Sequence, residues 1–164
     1  MEEEKKIDEE EDDDNDINGD VRMKSEEFDE FYVWFLSMCG ILSDLKCVYD
    51  NHADPDNDAL IGLFYDTEQA HKILESVEET GAFFLRLSGM KNVLIVSYKN
   101  EDNSVIHCTL IRVEPNIYQI GRARGRGKAA KQLPIDAFIS SAKQLKFLCT
   151  ENNVLVAKST YFPL

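Results

Sequence analysis

From Phe28 the chain reads FDEFYVWFLSMCGILSDLKCVYD, with apolar residues at Phe31, Trp34, Phe35, Met38, Ile41, Leu42 and Leu45. Steps of three and four place these on one face of a helix. Gly40 falls inside it, weakens it by about 1 kcal/mol relative to alanine, and marks a place where it could bend. NHADPDND, residues 51–58, reads as a loop, because Pro55 and clustered Asp and Asn oppose regular structure. A short apolar run, LIGLF, leads into DTEQAHKILESVEE, where Ala70, Ile73, Leu74 and Val77 again have helical spacing. Asp66 or Thr67 suits its N-cap and Gly81 its end. The period then changes from 3.6 to two: AFFLRLS and NVLIVSYK read as strands joined by a tight turn at Gly89 to Asn92. NEDNS turns the chain into a third strand, VIHCTLIRV, and IYQI after EPN is a fourth. PIDAFISSAKQLKFL predicts another helix, with Pro134 in its first turn and Ile135, Phe138, Ile139, Ala142, Leu145 and Leu148 on one face. NVLVAKSTYFPL predicts a short strand and a terminal strap on the core.

Composition changes this picture at the two places without a pattern. Residues 1–27 are charged and nearly devoid of apolar groups, so they cannot bury enough surface to offset the entropy of ordering and are expected to be a disordered acidic tail. The net charge of −13 belongs mostly to this end: residues 1–30 hold 16 of the 31 acids and 4 of the 18 bases, a net of −12, leaving −1 for the remainder. GRARGRGKAAKQ, residues 121–132, carries three glycines and five cations and is expected to be an exposed basic loop. No window reaches the run of about 18 apolar residues that a membrane span needs, so membrane insertion is not expected. The opening MEEEKKIDEE has the wrong charge for a leader. Cys39, Cys47, Cys108 and Cys149 stand apart in apolar contexts with no C-x-x-C pair; they read as reduced, mostly buried thiols of a cytoplasmic protein, with the nucleus as a second compartment.

Arg86 is the residue that most needs explaining. It sits in an otherwise apolar strand, where alternation puts Phe84, Arg86 and Ser88 on one side and Phe83, Leu85 and Leu87 on the other. Removing a guanidinium from water costs several kcal/mol, so it demands an anion, and its planar fork matches two phosphate oxygens. The strand pattern leaves an internal salt bridge and a ligand site both open. Ser88, and the turn SGMKN with Lys91 and its free backbone N–H groups, add donors around the same point.

The segment GAFFLRLSG, residues 81–89, resembles the signature of Src homology 2 (SH2) domains, in which a strand arginine grips phosphotyrosine. FYDTEQAHKILESVEETGAFFLRLSG resembles that family's first helix and strand, NVLIVSY and VIHCTLIRVEPNIYQI its next strands, and PIDAFISSAKQLKFL its second helix, over about 100 residues in the right order. The resemblance implies an α+β fold, a central antiparallel β-sheet flanked by two α-helices, preceded here by an amphipathic linker helix. It implies three parts: a tail at 1–27, a linker at 28–60 and an SH2 domain at 61–164. It also implies a phosphotyrosine site of Arg86, Ser88, Lys91 and His107, with a tyrosine-phosphorylated protein as partner, an adaptor role and no cofactor or metal. Thr67 stands where many members carry a second phosphate-binding arginine, Thr109 where a basic residue often flanks the ring, and Cys108 where an aromatic commonly shapes specificity. FYVWFLSMCGILSDLKCVYD and DNDALIGLF are similar to the linker of the STAT transcription factors. The tyrosine-bearing tail those proteins use for mutual dimerisation has no counterpart after TYFPL, so a monomer is expected.

Other chemistries are weaker. Asp14, Asp16, Asn18, Gly19 and Asp20 start like a calcium loop, but Ser25 stands where the bidentate glutamate belongs. Asp54, Asp56 and Asp58 alternate, with Ala59 in place of the turn glycine. Neither is expected to hold a metal. His52, His71 and His107 lack ligand spacing, and no nucleophile elbow or Cys–His constellation is present, so no enzyme is expected. Arg122, Arg124, Arg126, Lys128 and Lys131 are the alternative, a nucleic-acid-associated or transcription-related regulator. They carry no interleaved aromatics, and Ala129 after Gly127-Lys128 breaks a P-loop, so nucleic acid is the less favoured partner.

Overall fold

The computed structural model describes residues 24–46, 61–62, 65–121, 131–150 and 154–162. The acidic tail up to residue 23, both calcium-like segments and residues 122–130 of the basic loop lie outside the described residues. The described residues are α+β, with an eight-stranded, mostly antiparallel sheet and four helices. In chain order the elements are α1 (Ser25–Asp44), β1 (Ile61–Gly62), α2 (Thr67–Glu75), β2 (Ala82–Leu87), β3 (Val93–Lys99) and β4 (Val105–Glu114). They continue with β5 (Ile117–Ile120), β6 (Gln132–Pro134), α3 (Ile135–Ser141), β7 (Phe147–Cys149), β8 (Leu155–Ala157) and α4 (Lys158–Tyr161).

The hydrogen-bonded order is β6-β5-β4-β3-β2-β7-β8, and β1 also pairs with β2. Strand β2 is the hub. It is antiparallel to β3, while its other edge is shared by β7, parallel at Ala82 and Phe83, and β1, parallel at Leu85 and Arg86. Being paired on both edges, β2 is buried along its length, as its continuous apolar run requires. Its alternation sorts the molecule into two layers. Phe83, Leu85 and Leu87 join Leu94, Val96, Leu110, Tyr118, Ile135 and Ile139 in the larger core, which Ile41, Leu45, Tyr161 and Phe162 close. Ala82 and Phe84 face the other way, against Ala70 and Leu74 of α2 and Cys149.

Several elements depart from the spacing that announced them. Helix α1 begins at Ser25, inside the expected tail, because the Glu27 carboxylate accepts a hydrogen bond from the Lys24 backbone N–H at 3.1 Å and caps the first turn. Its apolar residues do not form one core-facing stripe. Ser37, Ile41 and Leu45 are buried, whereas Phe31 and Phe35 remain 47% and 41% exposed. Gly40 lies within the continuous helix, and its role is clearance: a Cβ there would lie 2.8 Å from Arg112 Nη1. Helix α3 ends at Ser141, short of the reach its periodicity predicted. The Lys158 ammonium donates to the carbonyls of Ser140 and Ala142, at 3.0 and 2.8 Å, and caps that end. Leu148 then enters β7, where pairing with Phe83 outweighs helical spacing. Strand β6, which reaches back to Gln132 in the expected basic loop, has no side-chain signature because it is short and held by backbone pairing to β5. Of the described cysteines, all unpaired, Cys149 is buried and Cys108 half-buried, but Cys39 is exposed. Among the described residues no helix is long and apolar enough to cross a membrane.

Candidate functional site

Arg86 lies on the α2 side of β2 and is 5% exposed. Alternation on the paired strands brings Ile95 and Ser97 of β3, and His107 and Thr109 of β4, to the same face, since Phe84 pairs with Ser97 and Ser97 with His107. The start of α2 supplies the opposite wall. Asp66 caps that helix by accepting from the Gln69 N–H at 2.7 Å, and Gln69 Oε1 accepts from the Asp66 N–H at 2.9 Å, which fixes residues 65–67 beside β2.

The guanidinium is held by three neutral acceptors. Nε donates to Ser97 Oγ at 3.1 Å, Nη1 to the Tyr65 carbonyl at 3.1 Å, and Nη2 to Thr67 Oγ1 at 3.2 Å. An arginine has five N–H donors, so two, one on each terminal nitrogen, have no partner among the described residues. Among the described residues no carboxylate forms an ion pair with it, so the internal salt bridge that strand alternation left open has no partner there. Burial lowers the Arg86 pKa, and the nearby Asp66 charge opposes that shift. The head lines a cleft of about 470 Å³ bordered by Tyr65, Asp66, Thr67, Ser88, Gly89 and Ile95. A buried cation with spare donors at the wall of such a cleft is suited to an anionic group.

Behind Arg86 runs a relay. Ser97, fully buried, accepts from Arg86 Nε, and its Oγ stands 2.9 Å from His107 Nδ1. A neutral ring with its proton on Nε2 lets the serine hydroxyl donate to Nδ1, whereas the other tautomer makes Ser97 Oγ the acceptor of both groups. Burial first, then the Arg86 and His71 charges, lower the His107 pKa. Ser97 is no nucleophile in this arrangement, being sealed from solvent and tied to the guanidinium. The folded state thus disfavours protonated His107, and stability contributed by the neutral ring is full above the unfolded value of about 6.5 and falls as pH drops through it toward the lower folded value. Thermal midpoints measured between about pH 7.5 and 5 should show this fall in the wild type and a shallower one in His107→Gln. Equal slopes would remove His107 from the relay.

Of the four residues expected at the site, Arg86 and Ser88 line this cleft, and His107 stands behind it through Ser97. The Ser88 hydroxyl is occupied by the Met90 N–H at 3.0 Å. Lys91 lines a neighbouring cleft of about 450 Å³, with Asp29, Glu30, Val33 and Trp34; the two clefts meet at Gly89. Cys108 lies on the opposite face, packed against the larger core. Thr67, read in sequence as an N-cap candidate and as a position lacking a charge, is a direct acceptor for Arg86. Ser97 and Tyr65 were missed. Ser97 had a signal, as a lone hydroxyl on the Arg86 side of an apolar strand; Tyr65 contributes a backbone carbonyl and had none. Of the basic loop only Gly121, Lys131 and Gln132 are described. Among the described residues no group of three or more His, Cys, Asp or Glu side chains could hold a metal.

Neither the models of known protein families nor the curated proteins include a match to this chain.

Proposed function

We propose that this chain is a phosphotyrosine-binding module of the SH2 type, recruiting tyrosine-phosphorylated proteins as a non-catalytic adaptor. The observation that carries the reading is Arg86: a buried guanidinium held by neutral acceptors, with two N–H groups left at the wall of a cleft. Two phosphate oxygens would complete that fork. The sequence resemblance supplies the phosphotyrosine identity, and a cleft of this size, within the roughly 300–1,000 Å³ range of ligand sites, accommodates a phenyl phosphate. The free cysteines favour the cytoplasm as its place of action.

The test is a titration with a phosphotyrosine peptide library beside the unphosphorylated and phosphoserine counterparts. Phosphotyrosine peptides should bind at least about tenfold more tightly than unphosphorylated ones, since hydrogen bonds to a charged group contribute about 1.5–3 kcal/mol each. Binding that ignores the phosphate would overturn the reading. A preference for phosphoserine would replace the ring-binding part of it.

Asp66 works against the proposed ligand, because its carboxylate borders the same cleft. Asp66→Asn keeps a good N-cap while removing that charge, and should tighten phosphopeptide binding by about threefold at low salt, the gain shrinking as salt screens it. Weaker binding by this variant would show that the carboxylate serves the site in another way.

A further inference from the structure

Helix α1 reaches further than the core requires. The residues by which it joins the larger core are Met38, Ile41, Leu42 and Leu45, whereas residues 24–33 are all exposed. Between these two stretches lie Trp34, half-buried, and Ser37, buried. Three residues apart, they share a helix face, and both end on the turn of residues 88–92 that joins β2 to β3. Trp34 Nε1 donates to the Ser88 carbonyl at 3.1 Å, and Ser37 Oγ accepts from the Asn92 N–H. One bond holds the start of the turn and the other its end.

The sheet itself fixes only the ends of this turn, through the Ser88 N–H to the Val93 carbonyl at 3.3 Å and the Arg112 N–H to the Asn92 carbonyl at 2.8 Å. Inside it the Met90 N–H donates to Ser88 Oγ at 3.0 Å, and Asn92 has a φ of 58°, a left-handed conformation that asparagine tolerates better than most residues. Gly89, Met90 and Lys91 are exposed, and a Cβ added at Gly89 would meet nothing within 4 Å. Yet Ser88 and Gly89 line the Arg86 cleft, so the place of the turn decides the place of that wall. Ordering one backbone residue at the moment of binding weakens affinity about tenfold, and a turn fixed beforehand avoids that loss. We propose that Trp34 and Ser37 are positioning residues for the phosphate site: α1 clamps the β2–β3 turn so that Ser88 and Gly89 are in place before the ligand arrives. The proposal rests on the phosphotyrosine reading for its ligand and on the two hydrogen bonds for its clamp. Coupling of this kind is reciprocal, so the factor that the clamp adds to affinity is the factor that bound ligand adds to the docking of α1.

Trp34→Phe keeps a ring on α1 and removes the N–H. In the full chain it should weaken binding of a phosphotyrosine peptide from the library about fivefold, and Ser37→Ala should weaken it about as much. The thermal midpoint of Trp34→Phe should stay within about 4 °C of the wild type. Without ligand, the same change should speed amide exchange at Ser88 and Asn92 about fivefold while Leu85 and Val96, inside β2 and β3, keep their rates. In the wild type, bound peptide should slow exchange over residues 34–37 by a similar factor. Wild-type affinity in Trp34→Phe, or unchanged exchange at Ser88 and Asn92, overturns the clamp. So does a loss of affinity that comes with faster exchange throughout β2 and β3, since Trp34 would then belong to the scaffold. A wild type that binds no phosphotyrosine peptide sinks the phosphotyrosine reading instead, and exchange at Ser88 and Asn92 then decides the clamp on its own.

Discussion

Arg86→Ala should reduce phosphopeptide affinity by at least about 100-fold, because it removes two charge-assisted donors contributing about 1.5–3 kcal/mol each. The same substitution should leave folding stability within about 1 kcal/mol of the wild type, which is the more telling half of the expectation. Arg86 is buried with no described carboxylate pairing it, so its charge is penalised in the free protein. Removing it relieves that penalty while leaving Ser97 Oγ, Thr67 Oγ1 and the Tyr65 carbonyl without a donor. The two effects oppose each other. A structural arginine would behave otherwise: its removal would unfold the domain and lower affinity only in proportion to the folded fraction. Arg86→Lys separates charge from shape. A lysine keeps the positive charge but cannot reach Ser97, Tyr65 and Thr67 at once while presenting two donors, so it should recover no more than about a tenth of wild-type affinity. Phosphopeptide titration with chemical denaturation of the same three proteins checks both halves. An alanine variant that binds normally sinks the site, and one that loses several kcal/mol of stability makes Arg86 part of the scaffold.

How much of this was legible in the chain depends on whether a residue speaks through a period or through a partner. Strand β2 was legible because its alternation is strict: Phe83, Leu85 and Leu87 went to one layer, Ala82 and Phe84 to the other, and Arg86 emerged beside α2. Helix α2 was legible from Ala70 and Leu74 and from an N-cap at Asp66 or Thr67, of which the structure uses Asp66; the Gln69 half of the cap was not read. Periodicity overreached where tertiary pairing competes with it, as at Leu148, which belongs to β7. It also failed on α1, because an apolar residue at helical spacing does not declare which of two faces it serves. Phe35 and Ile41 look alike in sequence, yet one is exposed and the other buried. The site was half legible for a similar reason. Arg86 announced itself as a charge among hydrophobes, whereas two of its acceptors, Tyr65 through a main-chain carbonyl and Thr67 through a hydroxyl, depend on how α2 begins.

Asp44→Ala should destabilise the domain by about 3 kcal/mol, because it strands a largely buried guanidinium. The Asp44 side chain is 6% exposed and that of Arg112 18%. The carboxylate accepts from Arg112 Nε, from Arg112 Nη2 at 3.1 Å and from the Tyr118 hydroxyl at 2.9 Å, joining the end of α1 to β4 and β5 at once. For a folded region of this size the loss corresponds to a thermal midpoint lower by about 10 °C. The damage should be local first. Ile41 and Leu45 still face the core, and Trp34 Nε1 still donates to the Ser88 carbonyl at 3.1 Å, but the C-terminal half of α1 loses its polar anchor. Amide exchange should therefore accelerate in α1 well before it does in β2 and β3. Substituting Arg112 by Leu in the Asp44→Ala background should restore much of the loss, since an unpaired buried charge is worse than an apolar side chain of similar volume. Full additivity of the two substitutions would show that the pair is not coupled. A change below about 1 kcal/mol in the single variant would show that Arg112 finds water instead. Trp34 ends at the carbonyl of Ser88, which borders the Arg86 cleft, and Ser37 Oγ accepts from the Asn92 N–H in the same turn, so loosening α1 should reach that cleft through these bonds to the β2–β3 turn and not through the guanidinium's own acceptors. The Asp44→Ala protein, while folded, should accordingly bind phosphopeptide within about twofold of the wild type, opposite in pattern to Arg86→Ala.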